Sequence, residues 1–71
     1  KRPMYVPDVS QFPGYISCDA RVKSEAVFPL VYQDQVIAIL DVDSPIIDGL
    51  KNDLDLLGQI ANLLANFSPA N

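Results

Sequence analysis

The sequence predicts a small α+β fold, in which an antiparallel β-hairpin packs against one C-terminal helix. Two runs rich in Val, Ile, Phe and Tyr, at 25–32 and 35–43, flank the dipeptide Gln33-Asp34, which is the layout of a hairpin with a two-residue turn. A third run, at 52–67, has apolar residues spaced by three and four, which is typical of an amphipathic helix. With 49% apolar residues, the chain has enough hydrophobic surface to fold.

The N-terminal third is predicted to be mostly loop. Its three prolines, Pro3, Pro7 and Pro13, leave room only for a short strand at 4–6, because proline cannot donate to a sheet ladder. We therefore expect residues 7–23 to connect this strand to the hairpin as a loop.

The hairpin and the helix together carry more apolar surface than they can bury. Residues 36–40 are all apolar, as in a strand covered on both faces, and the helix, for which Asn52 is the expected N-cap, has two adjoining apolar stripes. The stripes are Leu54, Leu57, Ala61 and Leu64, and Leu56, Ile60, Leu63 and Phe67. We therefore expect residues 1–71 to be the C-terminal part of a single larger domain, or to complete their sheet with a second chain.

Composition and charge exclude several classes of protein. The net charge is −4, and from residue 24 onward seven acids face only Lys51, which argues against nucleic acid as a partner. The chain has no histidine and one cysteine, so neither an internal disulfide nor a zinc site is expected, and a reducing, cytoplasmic setting fits best. No apolar run approaches the roughly 18 residues of a membrane-spanning helix, so no membrane is expected as a partner.

Cys18 is a candidate nucleophile in the loop that precedes the hairpin. Free cysteines are usually buried and inert. The neighbouring charges act in opposite directions, because Arg21 and Lys23 favour the reactive thiolate while Asp19 disfavours it. The residues alone leave the inert and the reactive interpretation open.

Asp41 and Asp43 end the more apolar strand two residues apart, so both project from one face of the sheet. Two like charges on one face need solvent, a cation or a ligand amine. A solvated strand end is an equally good interpretation of the pair. A metal site is not predicted, because one Asp-x-Asp lacks the further oxygen ligands that calcium or magnesium requires.

Glu25 begins the partner strand, but a regular two-residue hairpin would pair it with Val42 and turn it away from Asp41 and Asp43. Convergence of the three carboxylates requires one extra residue in a strand or a longer turn. We expect this irregularity near Val27 to Leu30, at Pro29.

Three segments of the chain together resemble a known family. They are Val9-Ser10-Gln11-Phe12-Pro13-Gly14-Tyr15-Ile16-Ser17-Cys18-Asp19, Ser24-Glu25-Ala26-Val27-Phe28-Pro29-Leu30 and Leu40-Asp41-Val42-Asp43-Ser44-Pro45. In order and joint spacing they resemble the free methionine-(R)-sulfoxide reductases, which are GAF-fold enzymes. The resemblance spans roughly residues 5 to 47. It implies a GAF-like antiparallel sheet flanked by helices, to which this chain contributes the loop, the hairpin and the C-terminal helix.

The resemblance also implies a reaction. The family's cysteine that matches Cys18 attacks the sulfoxide sulfur, releases methionine and becomes a sulfenic acid, which a second cysteine resolves as a disulfide. The acids that match Glu25, Asp41 and Asp43 line the substrate pocket. A thioredoxin-type protein is the implied reductant, a homodimer is the implied assembly, and no cofactor is implied.

This sequence departs from the family pattern at three positions. Family members commonly have His at the positions of Ser10 and Tyr15, and Ser at the position of Val22. The 71 residues also lack a second cysteine to resolve a sulfenic acid at Cys18, so we expect the segment alone to be inactive. The alternative interpretation is a non-catalytic GAF module that binds a small ligand or acts as a sensor.

Overall fold

The computed structural model describes residues 2–14 and 20–67, so Cys18 and Tyr15 lie outside the described residues. The regular elements of this part of the chain are β1 (Met4–Val6), β2 (Ser24–Tyr32), β3 (Gln35–Ser44) and α1 (Leu54–Asn66). Short 3-10 turns lie at Val9–Gln11 and Lys51–Asp53. The predicted α+β class is confirmed. No helix in the described part of the chain has the length and apolar character needed to cross a membrane.

The three strands form one antiparallel sheet in the order β1-β2-β3. The predicted two-residue turn joins β2 to β3 at Gln33 and Asp34, whose φ angles of 48° and 65° lie in the left-handed region. Positive φ at both central residues matches the twist of the flanking strands, so a tight hairpin forms without Asn-Gly at its tip.

The β2–β3 ladder contains the predicted extra residue, but at a different place. Near the turn Val31 pairs with Val36, whereas the next pair is Leu30 with Ala38, so the extra residue lies at Ile37 of β3. Its expected position at Pro29 was wrong, because Pro29 pairs regularly with Ile39. In the described residues β1 pairs with β2 only from Glu25 to Val27, so Pro29 lies beyond that ladder, in a part of β2 that pairs with β3.

The core lies between α1 and one face of β2. Alternate residues of β2 point toward the helix, and the buried cluster consists of Ala26, Phe28, Leu30, Leu50, Ala61 and Ala65. Small side chains on the helix allow a close approach to the sheet. Gly58 continues this surface, since a Cβ there would lie 3.7 Å from the Phe28 ring.

The start of the helix differs from the prediction. Asn52 is not the N-cap, because the Lys51–Asp53 turn is already helical and the α-helix continues it from Leu54. The Asp53 N–H donates to the Leu50 carbonyl at 2.9 Å, so the chain enters α1 through a hydrogen-bonded turn. The residue before the helix, Asp53, makes no side-chain cap bond.

Much apolar surface stays exposed, although the run at 36–40 led us to expect a strand covered on both faces. Within the described residues β3 is an edge strand and α1 packs mainly on β2, which leaves Ile39 64% exposed. On the helix, the stripe that begins at Leu56 is also largely exposed, and Leu63 reaches 70%. The exposed side of β3 and this stripe of α1 are the apolar surfaces that the hairpin and the helix do not bury between them.

Phe28→Ala is expected to lower the free energy of unfolding by about 3–4 kcal/mol, because it removes a buried ring between the sheet and the helix. Tyr32→Ala is the matched control, an aromatic residue of the same strand that is 44% exposed and for which we expect a loss below about 1 kcal/mol. Urea denaturation measures both. Equal losses in the two variants would contradict the described core.

Candidate functional site

Glu25, Asp41 and Asp43 converge on the face of the sheet opposite α1. Glu25 pairs directly with Asp43 across the ladder, and Asp41 lies two residues earlier in β3, opposite Val27. A carboxylate oxygen from each of the three acids lies within 4.8 Å of the others. The extra residue at Ile37 produces this arrangement, because it moves the acids of β3 onto the face that carries Glu25.

The cluster lies at the boundary between protein and solvent. Glu25 is half-buried, whereas Asp41 and Asp43 are exposed. On the other side of β2, buried Val6 pairs with Glu25 and closes that flank with an apolar side chain. An open concavity of about 290 Å³ adjoins Val6 and is lined by Val6, Pro7, Asp8, Gln11 and Phe12. Charged and apolar surfaces therefore lie side by side on this face.

Asp41 holds a proton more strongly than an isolated carboxyl does. A hydrogen bond to Glu25, partial desolvation and the negative charges of Glu25 and Asp43 raise the pKa of Asp41 from 3.8 to about 6. Protonated Asp41 donates this bond, which relieves repulsion between neighbouring carboxylates. The cluster can therefore accept a cation when ionised and donate a proton when Asp41 is protonated.

A divalent metal ion is a poorer match for this site than an ammonium group. One carboxylate oxygen from each of the three acids takes part in the cluster, and among the described residues no further histidine, cysteine or acid joins them. Calcium takes about 6–8 oxygen ligands, and magnesium demands near-octahedral geometry. An ammonium group, with three N–H donors, matches three carboxylate acceptors.

Two buried serines hold the end of the ladder beside the acids. Ser24 Oγ donates to the Ile46 carbonyl at 2.8 Å, and the Ile46 N–H donates to Ser44 Oγ at 3.2 Å. A Cβ on Gly49 would overlap Ser44 Oγ and come within 2.9 Å of Ile46, so glycine is needed there for close approach. The sequence alone did not indicate these roles, although each serine is adjacent to an acid, in Ser24-Glu25 and Asp43-Ser44.

The loop after β3 is fixed to β1 as well. The Tyr5 hydroxyl donates to the Asp48 carboxylate at 2.5 Å, and the Asp48 N–H donates to the Pro7 carbonyl at 2.7 Å. Asp48 has a φ of 54°, a conformation that Asp tolerates better than most residues. This contact joins residues 43 positions apart and had no recognisable signal in the sequence.

The fold and the sequence match a known family. The family model of the GAF domain matches residues 1–66, and the chain belongs to that family. Among solved structures, fRMsr of Staphylococcus aureus in its reduced form is 43% identical with a TM-score of 0.82, and the match covers 90% of this chain and 42% of that one. The free methionine-R-sulfoxide reductase from Neisseria meningitidis in complex with its substrate is 33% identical with a TM-score of 0.80, over 89% of this chain and 38% of that one.

Proteins similar in sequence include one that is named for its GAF domain and one that is named as a reductase. GAF domain-containing protein A of Dictyostelium discoideum is 43% identical over 93% of this chain and 42% of its own length. The free methionine-R-sulfoxide reductase of Escherichia coli is 37% identical over 84% of this chain and 39% of its own length. The chain thus spans about two fifths of the length of these relatives.

The raised pKa of Asp41 predicts a specific dependence of stability on pH. Because its folded pKa of about 6 lies above the ordinary 3.8, this group's contribution to stability is fully present below about pH 4 and is lost as the pH rises to about 7. Asp41→Asn should remove this loss, as measured by urea denaturation across that range. Asp55→Asn, which changes an exposed acid on α1, should retain it. An unchanged pH profile in Asp41→Asn would contradict the coupling described above.

Proposed function

We propose that the protein containing these residues reduces free L-methionine-(R)-sulfoxide to methionine, with Cys18 as nucleophile and Glu25, Asp41 and Asp43 as substrate-binding residues. The observation that supports this most strongly is the convergence of the three carboxylates within 4.8 Å on the open sheet face. Relatives and structural neighbours named as free methionine-R-sulfoxide reductases share this part of the fold.

A free amino acid fits the charge of the cluster. Its ammonium group offers three donors to the carboxylates, and its positive charge relieves the repulsion that raises the pKa of Asp41. The apolar concavity beside Val6 is close enough in the fold to contribute to a pocket for the uncharged part of such a ligand. A peptide-bound methionine lacks this ammonium group, so the cluster favours the free amino acid.

The proposed chemistry needs a proton donor as well as a nucleophile. The Cys18 thiolate attacks the sulfoxide sulfur, the S–O bond of the protonated sulfoxide breaks, and its oxygen passes to the Cys18 sulfur, so methionine leaves and Cys18 becomes a sulfenic acid. The sulfoxide is reduced by two electrons and the cysteine is oxidised by two, and protonation of the oxygen assists the transfer. Asp41 is the proposed donor, because its pKa, raised to about 6, makes it easier to protonate than an ordinary carboxyl.

Turnover requires two further thiol steps. A resolving thiol attacks the sulfenic acid, which releases water and forms a disulfide, and a reductant then returns both sulfurs to thiols. The 71 residues contain one cysteine, so the resolving cysteine is proposed to lie elsewhere in the protein. A thioredoxin-type reductant, a homodimer and a cytoplasmic location complete the proposal.

The exposed apolar surfaces fit this proposal. We infer that the remaining part of the GAF domain covers the edge of β3 and the stripe of α1 that begins at Leu56. Residues 1–71 are then the C-terminal part of one domain. A monodisperse, cooperatively unfolding monomer formed by these 71 residues alone would contradict this inference.

The second candidate is a non-catalytic GAF module that binds a small cationic ligand. It is favoured by the family departures at Ser10, Tyr15 and Val22, and by a relative that is named only for its domain. The two candidates differ in Cys18, which must be reactive in the enzyme and is dispensable in the module. Its rate of alkylation by iodoacetamide therefore separates them.

Cys18→Ser is expected to abolish turnover of free L-methionine-(R)-sulfoxide by the protein, because a hydroxyl cannot form the sulfenic acid. Dithiothreitol should serve as the reductant, since it bypasses the resolving cysteine. Methionine release measured by chromatography gives the rate, and circular dichroism controls for folding. If the folded wild-type protein is inactive, the ligand-binding module becomes the better interpretation, and full activity of Cys18→Ser would exclude the assigned nucleophile.

Asp43→Asn is expected to raise KM for the sulfoxide by about tenfold or more, because it removes one charge-assisted bond to the ammonium group, for which about 1.5–3 kcal/mol is typical. Asp55→Asn is the matched control and should leave KM unchanged, since Asp55 lies on α1 outside the cluster. Steady-state kinetics with dithiothreitol provides the comparison. An unchanged KM in Asp43→Asn would contradict the role of this carboxylate.

A further inference from the structure

The acidic cluster is located near the end of the β2–β3 ladder. Glu25 and Asp43 form the pair next to the last one, and only Ser24 and Ser44 pair beyond them. Like charges directly opposite one another on a sheet are destabilising, and strand ends separate more easily than strand centres. Three carboxylates at this position therefore need a counteracting contact that keeps the strand ends together.

The serines on the opposite face provide such a contact, which we call the serine clamp and define as Ser24, Ser44 and the backbone of Ile46. Ser24 is fully buried and Ser44 is 8% exposed. The hydroxyl of Ser24 binds the Ile46 carbonyl, and that of Ser44 accepts from the Ile46 N–H. One residue of the following loop thus links the end of β3 to the start of β2.

The serine clamp is reinforced by the backbone on either side. The Lys23 N–H donates to the Ser44 carbonyl at 2.8 Å, which extends the pairing by one step beyond the strands. Gly49 packs against Ser44 Oγ and Ile46, so the hydroxyl is enclosed by protein. A buried hydrogen bond of this kind is costly to break, because the freed polar groups would stay without partners.

We propose that Ser24 and Ser44 are positioning residues, which fix the distance between Glu25 and Asp43 by clamping the two strand ends on the opposite face of the sheet. Neither serine touches the carboxylates, since adjacent strand residues point to opposite faces. The geometric part of this proposal is independent of the proposed reaction, and only its effect on turnover rests on that function.

The titration of Asp41 measures the effect of the serine clamp directly. In the described residues the acids that face Asp41 are Glu25 from β2 and Asp43 from its own strand. Ser44→Ala removes the acceptor of the Ile46 N–H, and we expect the strand ends to move apart and the pKa of Asp41, read by ¹³C NMR of the carboxyl carbon in the whole protein, to fall by about one unit. Ser44→Thr keeps the hydroxyl and should retain the wild-type value.

A control separates positioning from general stability. Leu50→Ala removes a core side chain at the end of the same loop and lowers the free energy of unfolding without touching a serine hydroxyl. It should leave the Asp41 titration unchanged. Ser24→Ala removes the other half of the serine clamp and should lower the pKa of Asp41 as Ser44→Ala does. If this fully buried site does not tolerate the change, the comparison of Ser44→Ala with Ser44→Thr tests the proposal.

The outcomes are distinct. A lower pKa of Asp41 in Ser44→Ala, with the wild-type pKa in Ser44→Thr and Leu50→Ala, supports the proposal. An unchanged titration in Ser44→Ala, or an equal fall in Leu50→Ala, overturns it. In the turnover assay the serine-to-alanine variants should shift the pH profile of kcat toward lower pH with the same sign as the NMR shift. If the wild-type protein proves inactive, the proposed reaction fails while the NMR result still decides the role of the serines.

Discussion

The register of the β2–β3 hairpin is the constraint on which the acidic site depends. Side chains alternate between the two faces of a strand, so one residue more or less in β3 exchanges its two faces. With the extra residue at Ile37, the acids of β3 share a face with Glu25 while Leu40 and Val42 pack toward α1. The same local irregularity therefore determines which residues of β3 join the acidic cluster and which join the core. A change of register would alter both sets together.

The cluster and its surroundings show how opposing contributions are combined in one small region. Repulsion among the carboxylates raises the pKa of Asp41 and acts to separate the strands. Hydrogen bonds from Ser24 and to Ser44 act in the opposite direction from the other face, and the Tyr5 contact with Asp48 holds the same loop against β1. Stability and a strained charge cluster are thus maintained by different faces of the same sheet.

Local patterns in the sequence were sufficient for the hairpin, its turn and the helix, because these follow from apolar periodicity and short-range turn chemistry. The need for an extra strand residue followed from counting pairs, but its place at Ile37 rather than at Pro29 is visible only in the three-dimensional register of the two strands. The cap expected at Asn52 failed because Asn52 lies inside the helical turn at Lys51–Asp53 that leads into α1. The contact between Tyr5 and Asp48 joins distant residues and is visible only in three dimensions.

The hairpin tip at Gln33 and Asp34 is exposed, and the eight residue steps of β2 from Gln33 to Glu25 place it about 25 Å from the acidic cluster at the usual strand rise. Its two left-handed residues close the hairpin beyond the irregularity at Ile37, so the register of the acids is already set between the tip and the cluster. A fluorescent reporter or an affinity peptide inserted there would extend the loop without entering the core. The tip is therefore a natural attachment point for tools that follow this domain in cells.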